Sequence, residues 1–240
     1  MYKEFFSRLI FLFAPLVFWS GCKDDETPAI REWREYYPIK PGSYITYQVD
    51  SVTYRYIEGG LPQRDTVRYQ LKEMVSDTFY DNQNDLNYRL EIFKRYSPNE
   101  PWAIWKVWSI KEKGNQIQKD EDELRFIKMV FPLKNGVKWK GNLYIPDTGP
   151  YRLFRNWEYT YNNAHQPHTV GSFTFDSTVT VLQVDKEIAI EKTYRKEIYA
   201  KDVGPVEIHW EHLTTQAVPP NYVNGKLNGF RIRMQVIDYQ

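Results

Sequence analysis

From Tyr37 to the C-terminus the chain alternates apolar and polar residues with a period of two, and that rhythm restricts its fold more than any other feature. Val67, Tyr69, Leu71 and Val75 fall on one phase, with Arg68, Gln70 and Lys72 on the other. Phe173, Phe175, Val179 and Val181 alternate with Thr174, Asp176, Thr178 and Thr180. Val206, Ile208 and Trp210 alternate with Glu207, His209 and Glu211. Phe230, Ile232, Met234 and Val236 alternate with Arg231, Arg233 and Gln235. A period of two places successive side chains on opposite faces of a strand, and one dry face with one wet face marks antiparallel sheet. Ile188, Ile190, Tyr194 and Ile198 read as a buried phase against Glu187, Glu191, Arg195 and Glu197. Turn signals separate the runs at Gly59-Gly60, Lys113-Gly114-Asn115, Asn135-Gly136, Asp202 to Pro205 and Asn224-Gly225. No long amphipathic helix interrupts them.

The expected fold is therefore all-β, with about ten to twelve strands in one domain over 37–240. A sheet of that size with one apolar face must curl over it or stack on a second sheet. A curved antiparallel sheet or open β-barrel is the first expectation and a two-sheet sandwich the alternative. Gly42, Gly136 and Gly204 are expected to supply positive φ at turns.

Composition narrows the function classes. The 240 residues carry 32 Lys+Arg against 31 Asp+Glu, a net charge of +1, without the basic excess of a nucleic-acid binder. A single cysteine rules out an internal disulfide framework and a cysteine-cluster zinc site. There is no GxSxG, no phosphate loop, no HExxH and no dinucleotide fingerprint. We expect no cofactor, no metal and no catalytic residue, and a binding function before an enzymatic one.

The first residues concern address. Lys3 and Arg8 precede an uncharged apolar run from Leu9 to Trp19, broken by Pro15. As a helix that run rises ~16 Å, about half of a ~30 Å hydrocarbon core, so it reads as a secretory signal (1–21) and not a membrane span. Ser20-Gly21-Cys22 resembles a bacterial lipobox, with Trp19 where Leu is usual. The resemblance implies a thioether to diacylglycerol on Cys22, N-terminal acylation and a membrane anchor. Lys23-Asp24-Asp25-Glu26 resembles the acidic export signal of Bacteroidota lipoproteins, which implies the outer membrane and its cell-surface face, with the periplasmic face as the alternative. Residues 22–36 read as lipidated cysteine and polar tether. When cleavage removes Lys3, Arg8 and Glu4, the counts of 32 and 31 both fall to 30. No net charge then steers a partner.

Three body blocks carry a wider resemblance. They are Tyr36 to Tyr44 (YYPIKPGSY), Phe131 to Trp139 (FPLKNGVKW) and Tyr199 to Val206 (YAKDVGPV). They are similar to the uncharacterised outer-membrane and surface lipoproteins of Bacteroidota. Tyr44-Ile45, Asp202 and Pro205 depart from that group's usual residues. The likeness implies a β-rich envelope lipoprotein and brings no catalytic residue with it.

Candidate sites are few. Trp102, Trp105 and Trp108, with Trp157 and Tyr161, are the aromatics that would stack on a glycan or grip another envelope protein; core packing is the competing reading. On a regular strand Trp102 and Trp108 share one face and Trp105 takes the other. His165 and His168 read as loop residues, and His209 and His212 as strand residues facing opposite ways, so a four-histidine zinc site is not expected. Glu207 and Glu211 flank His209 on one phase, an acid/base arrangement that equally describes a solvated face. Lys119 to Glu123 lacks calcium-loop spacing and reads as a solvated hairpin turn. A carrier of hydrophobic molecules and a glycan-active enzyme remain as alternatives to a binding module.

Overall fold

The computed structural model describes residues 35–215 and 226–240. Cys22 and the Lys23 to Glu26 export signal lie outside them. The described residues form twelve strands: β1 (Tyr44–Arg55), β2 (Gln63–Tyr80), β3 (Leu86–Arg95), β4 (Ala103–Lys113), β5 (Gln116–Glu121), β6 (Leu124–Val130), β7 (Lys138–Trp139), β8 (Tyr159–Val170), β9 (Phe173–Ile188), β10 (Glu191–Ala200), β11 (Gly204–Thr215) and β12 (Leu227–Tyr239). A 3₁₀ helix, Gly149–Phe154, joins β7 to β8. No helix among the described residues is long and apolar enough to cross a membrane.

All twelve strands belong to one antiparallel sheet in the order β6-β5-β4-β3-β2-β1-β12-β11-β10-β9-β8-β7. The first strand thus sits mid-sheet, hydrogen-bonded to the last, and two meanders run outwards from that seam. Bulges interrupt most of the ladders. Each bulge adds local twist and bend, which is what rolls a large sheet up. The two free edges then meet. The Tyr161 hydroxyl on β8 donates to the Val130 carbonyl and accepts from the Val130 amide on β6, both at 2.9 Å. The Ile127 amide donates to the Gly141 carbonyl at 2.6 Å, and the Trp139 indole donates to the Ile127 carbonyl at 2.9 Å. Gly141 is required here, because a Cβ would fall 2.2 Å from the Tyr159 ring. The result is a nearly closed barrel, the first of the two expected architectures and not the sandwich.

The interior is aromatic. Tyr36, Tyr47, Tyr159, Tyr161 and Tyr199 are fully buried among Val49, Ile92, Ile110, Ile117 and Met129. Tyr36, which the sequence boundary leaves in the tether, hydrogen-bonds His165 and Ser177, so the folded body already includes it. Gly42, Gly136 and Gly204 all have positive φ, as expected. A second, smaller core forms where Val170 and Phe175 of the β8–β9 hairpin pack on Ile198, Ala200, Val206 and Val236.

Candidate functional site

The barrel interior holds charges that strand periodicity alone hides. On β2, Tyr69, Leu71, Glu73 and Val75 share a phase, and Glu73 is the one charge among these four. On β5, Lys119 and Glu121 share the phase of the buried Ile117. On β6, Lys128 shares the phase of Phe126. On β10 the sequence-based phase is reversed: Arg195 and Glu197, read as a wet face, are buried with Thr193 and Tyr199, while Ile198 belongs to the smaller second core. The closed barrel turns that phase inwards because its neighbours on β9 and β11, Val184 and Trp210, also face in.

These six charges pair with one another. Glu197 accepts from Lys128 at 2.7 Å and Arg195 at 3.1 Å, and Tyr199 donates its hydroxyl to the same carboxylate. Glu121 lies 3.2 Å from Lys128, 3.3 Å from Lys119 and 3.8 Å from Arg195. Lys119 donates to Glu73 at 3.0 Å. Burial opposes ionisation of both Glu121 and Glu197, yet Lys128 (with Lys119 and Arg195 beside Glu121, and Arg195 beside Glu197) outweighs it and holds both carboxyls below their usual range. Burial likewise opposes the charge on Lys119, but Glu73, then Tyr37 and Glu121, keep its pKa well above the ordinary lysine value. Burial first and Glu197 next push the Tyr199 phenol far up, so it stays a neutral donor. Three cations and three carboxylates leave the network neutral.

Above this charged floor is a cavity of about 200 Å³. Its walls include Tyr69, Trp105, Trp108, Ile208, Trp210, Ile232 and Met234. Two larger depressions, about 490 and 450 Å³, lie beside Arg89 and Asp122 and beside Arg152 and Lys186; neither reaches the charged floor. Arg195 stacks on the Trp210 indole, 4.6 Å from guanidinium carbon to ring centroid. Lys119 lies 4.8 Å from the Trp108 centroid, and the Trp108 indole donates to Asp122 at 3.1 Å.

The five candidate aromatics divide. Trp105 and Trp108 line the cavity together, which regular alternation does not allow. A bulge resolves this: Ile92 pairs with Lys106 and Phe93 with Ile104, so Trp105 is the extra residue and swings to the side of Trp108. Trp102 goes elsewhere, under Arg95 at 4.1 Å and beside Lys72 at 4.9 Å. Trp157 and Tyr161 are core residues. Trp157 packs edge-on against Phe154 at 5.1 Å, and Tyr161 latches the barrel edges. Trp210 completes the cavity wall.

The other candidates separate too. His165 and His168 lie within β8 and not in a loop. His165 bonds Tyr36, His168 bonds Glu207, His212 bonds Thr193, and His209 stacks edge-on with Tyr194. No cluster of three metal-ligating side chains exists among the described residues. Glu207 and Glu211 are buried, correcting the solvated reading. Arg233 and His168, both at 2.9 Å, hold Glu207, and Arg231 holds Glu211 at 2.6 Å. Burial disfavours the Glu207 charge, but His168 and Arg233 prevail and lower its pKa, so it is a poor general acid. The Lys119 to Glu123 run is a solvated turn only at Asp122-Glu123, both at positive φ; Lys119 and Glu121 point into the barrel.

No family model matches the chain. No curated protein matches it. Among solved structures it is similar to a lipoprotein candidate from Parabacteroides distasonis ATCC 8503, at 11% identity, covering 84% of this chain and 96% of that one with a TM-score of 0.40. It is also similar to an exported-protein candidate with a YmcC-like fold from Bacteroides fragilis NCTC 9343, at 12% identity, covering 83% and 97% with a TM-score of 0.31.

Proposed function

We propose that this is a lipid-anchored cell-envelope protein, held through Cys22, whose barrel binds a small amphipathic molecule without chemically changing it. One observation carries the binding reading: an apolar, tryptophan-walled cavity ends on buried, mutually paired charges. Apolar walls with a few fixed polar groups are the usual form of a small-molecule site. Ionisable groups this deeply buried cost several kcal/mol of desolvation each unless paired, and their concentration at one cavity marks a functional candidate. The carboxylates are all engaged by cations, which disfavours acid/base work and with it the glycan-enzyme alternative. The lipobox carries the anchor, and the Lys23 to Glu26 run favours the outer membrane and its outer face.

The test is saturable binding of 1-aminoanthracene, a neutral apolar fluorophore, to the purified protein. Wild type should enhance its fluorescence to a plateau, and Ile232→Trp, which fills the cavity, should lower the affinity at least tenfold. A wild-type protein showing no saturable enhancement would overturn the reading, as would an Ile232→Trp protein that is folded and binds equally well.

A further inference from the structure

We infer that the cavity selects an uncharged ligand that presents a carbonyl oxygen, as an ester or amide does, to Arg195 and Trp210. The inference rests on the ligand-binding reading above and adds the chemistry of the polar end.

The donors come first. Arg195 Nε and Trp210 Nε1 are buried and have no hydrogen-bond partner among the described residues. Arg195 is only 5% exposed, yet it lines the cavity, as Trp210 does. Buried N–H groups are almost always paired, since an orphan costs about 1–3 kcal/mol. Both orphans lie on one stacked pair at the charged end of the cavity. The Gln183 amide and the Tyr159 hydroxyl are also buried without partners. Gln183 is the bulged residue next to Val184, the β9 partner of Arg195.

The two carboxylates beside Arg195 are spent. Glu197 serves Lys128, Arg195 and Tyr199, and Glu121 serves Lys128 and Lys119. A ligand hydroxyl placed at Arg195 would bring a proton that finds no free carboxylate there, whereas a carbonyl brings only lone pairs. Charge makes the second cut. A carboxylate ligand is also an acceptor, but the six interior charges already cancel, and a further buried anion would stand uncompensated close to Glu121 and Glu197. The walls make the third. Ile208, Ile232 and Met234 give the ligand's body an apolar wall. About 200 Å³ is below the 300–1,000 Å³ typical of drug-sized sites, so the occupant is a small molecule or the end of a longer chain.

Displacement of 1-aminoanthracene by three probes with matched eight-carbon chains tests this: N,N-dimethyloctanamide, 1-octanol and octanoate. The amide should displace at concentrations at least tenfold below the other two. Trp210→Phe keeps the aromatic wall and removes one donor. It should raise the amide's half-displacement concentration about tenfold and leave that of octanol unchanged. Equal displacement by all three probes would overturn the inference while the binding reading stood, and so would a folded Trp210→Phe protein that weakens all three alike. If 1-aminoanthracene itself fails to bind, both readings fall.

Discussion

At the residue scale, the deciding feature is a charge on an apolar phase. Glu73 and Lys128 each sit where alternation places a core side chain, and each survives there because an opposite charge arrives from another strand. Such a pair contributes little over a hydrophobic replacement, but removing one partner is expensive, because the survivor remains buried and uncompensated. Glu197→Gln should therefore destabilise the protein by about 3 kcal/mol at neutral pH, read from urea unfolding. The same residue predicts acid sensitivity. The folded pKa values of Glu121 and Glu197 lie below the unfolded glutamate value of about 4.3, so both contribute full stability above that pH. That contribution drains away as pH falls from about 4.3 towards their folded values. Wild type should lose stability steeply over this window, and Glu197→Gln should lose measurably less. A variant with the wild-type slope would show that Glu197 is not part of the acid response. The missed site was legible in outline: Glu73 and Lys128 interrupt apolar phases in the sequence itself. Which charge each one meets was not, because Lys119 and Glu73 are joined across strands 46 positions apart.

At the scale of elements, bulges and edges do what regular strands cannot. The bulge in β4 brings Trp105 beside Trp108, and no spacing rule anticipates it, since a bulge is fixed by how two strands pair and not by either alone. The closing contact has the same character. Tyr161 looks like a ligand aromatic in the sequence, and its partner Val130 is identified only when β6 and β8 meet. Tyr161→Phe keeps the ring and loses a hydroxyl that both donates and accepts. It leaves the amide and carbonyl of Val130 without that partner, which should cost about 1–3 kcal/mol. Hydrogen exchange should locate the loss at β6 and β8. Protection lost evenly across all strands, with no local excess, would count against an edge latch.

At the scale of the whole molecule, the proposed anchor at Cys22 makes a prediction about location. Cys22→Ala should abolish palmitate incorporation and move the protein from membrane to soluble fractions, since two or three acyl chains hold a protein stably on a bilayer whereas polar residues do not. A Cys22→Ala protein that still incorporated label would remove the anchor at that position. Against this background the sequence by itself determined the class of structure. Period-two patterning is local, and it dictates antiparallel sheet with a dry face whatever the arrangement of the strands. The apolar run before Cys22 is equally local, and it needs no fold to be read. Tertiary structure alone decided that the sheet closes as a barrel, that the Arg195 and Glu197 phase of β10 faces inwards, and that Trp105, Trp108 and Trp210 wall one cavity over a neutral set of buried charges. Those outcomes depend on register, bulges and partners far apart in the chain, and burial of a charge is favourable only once its partner is in place.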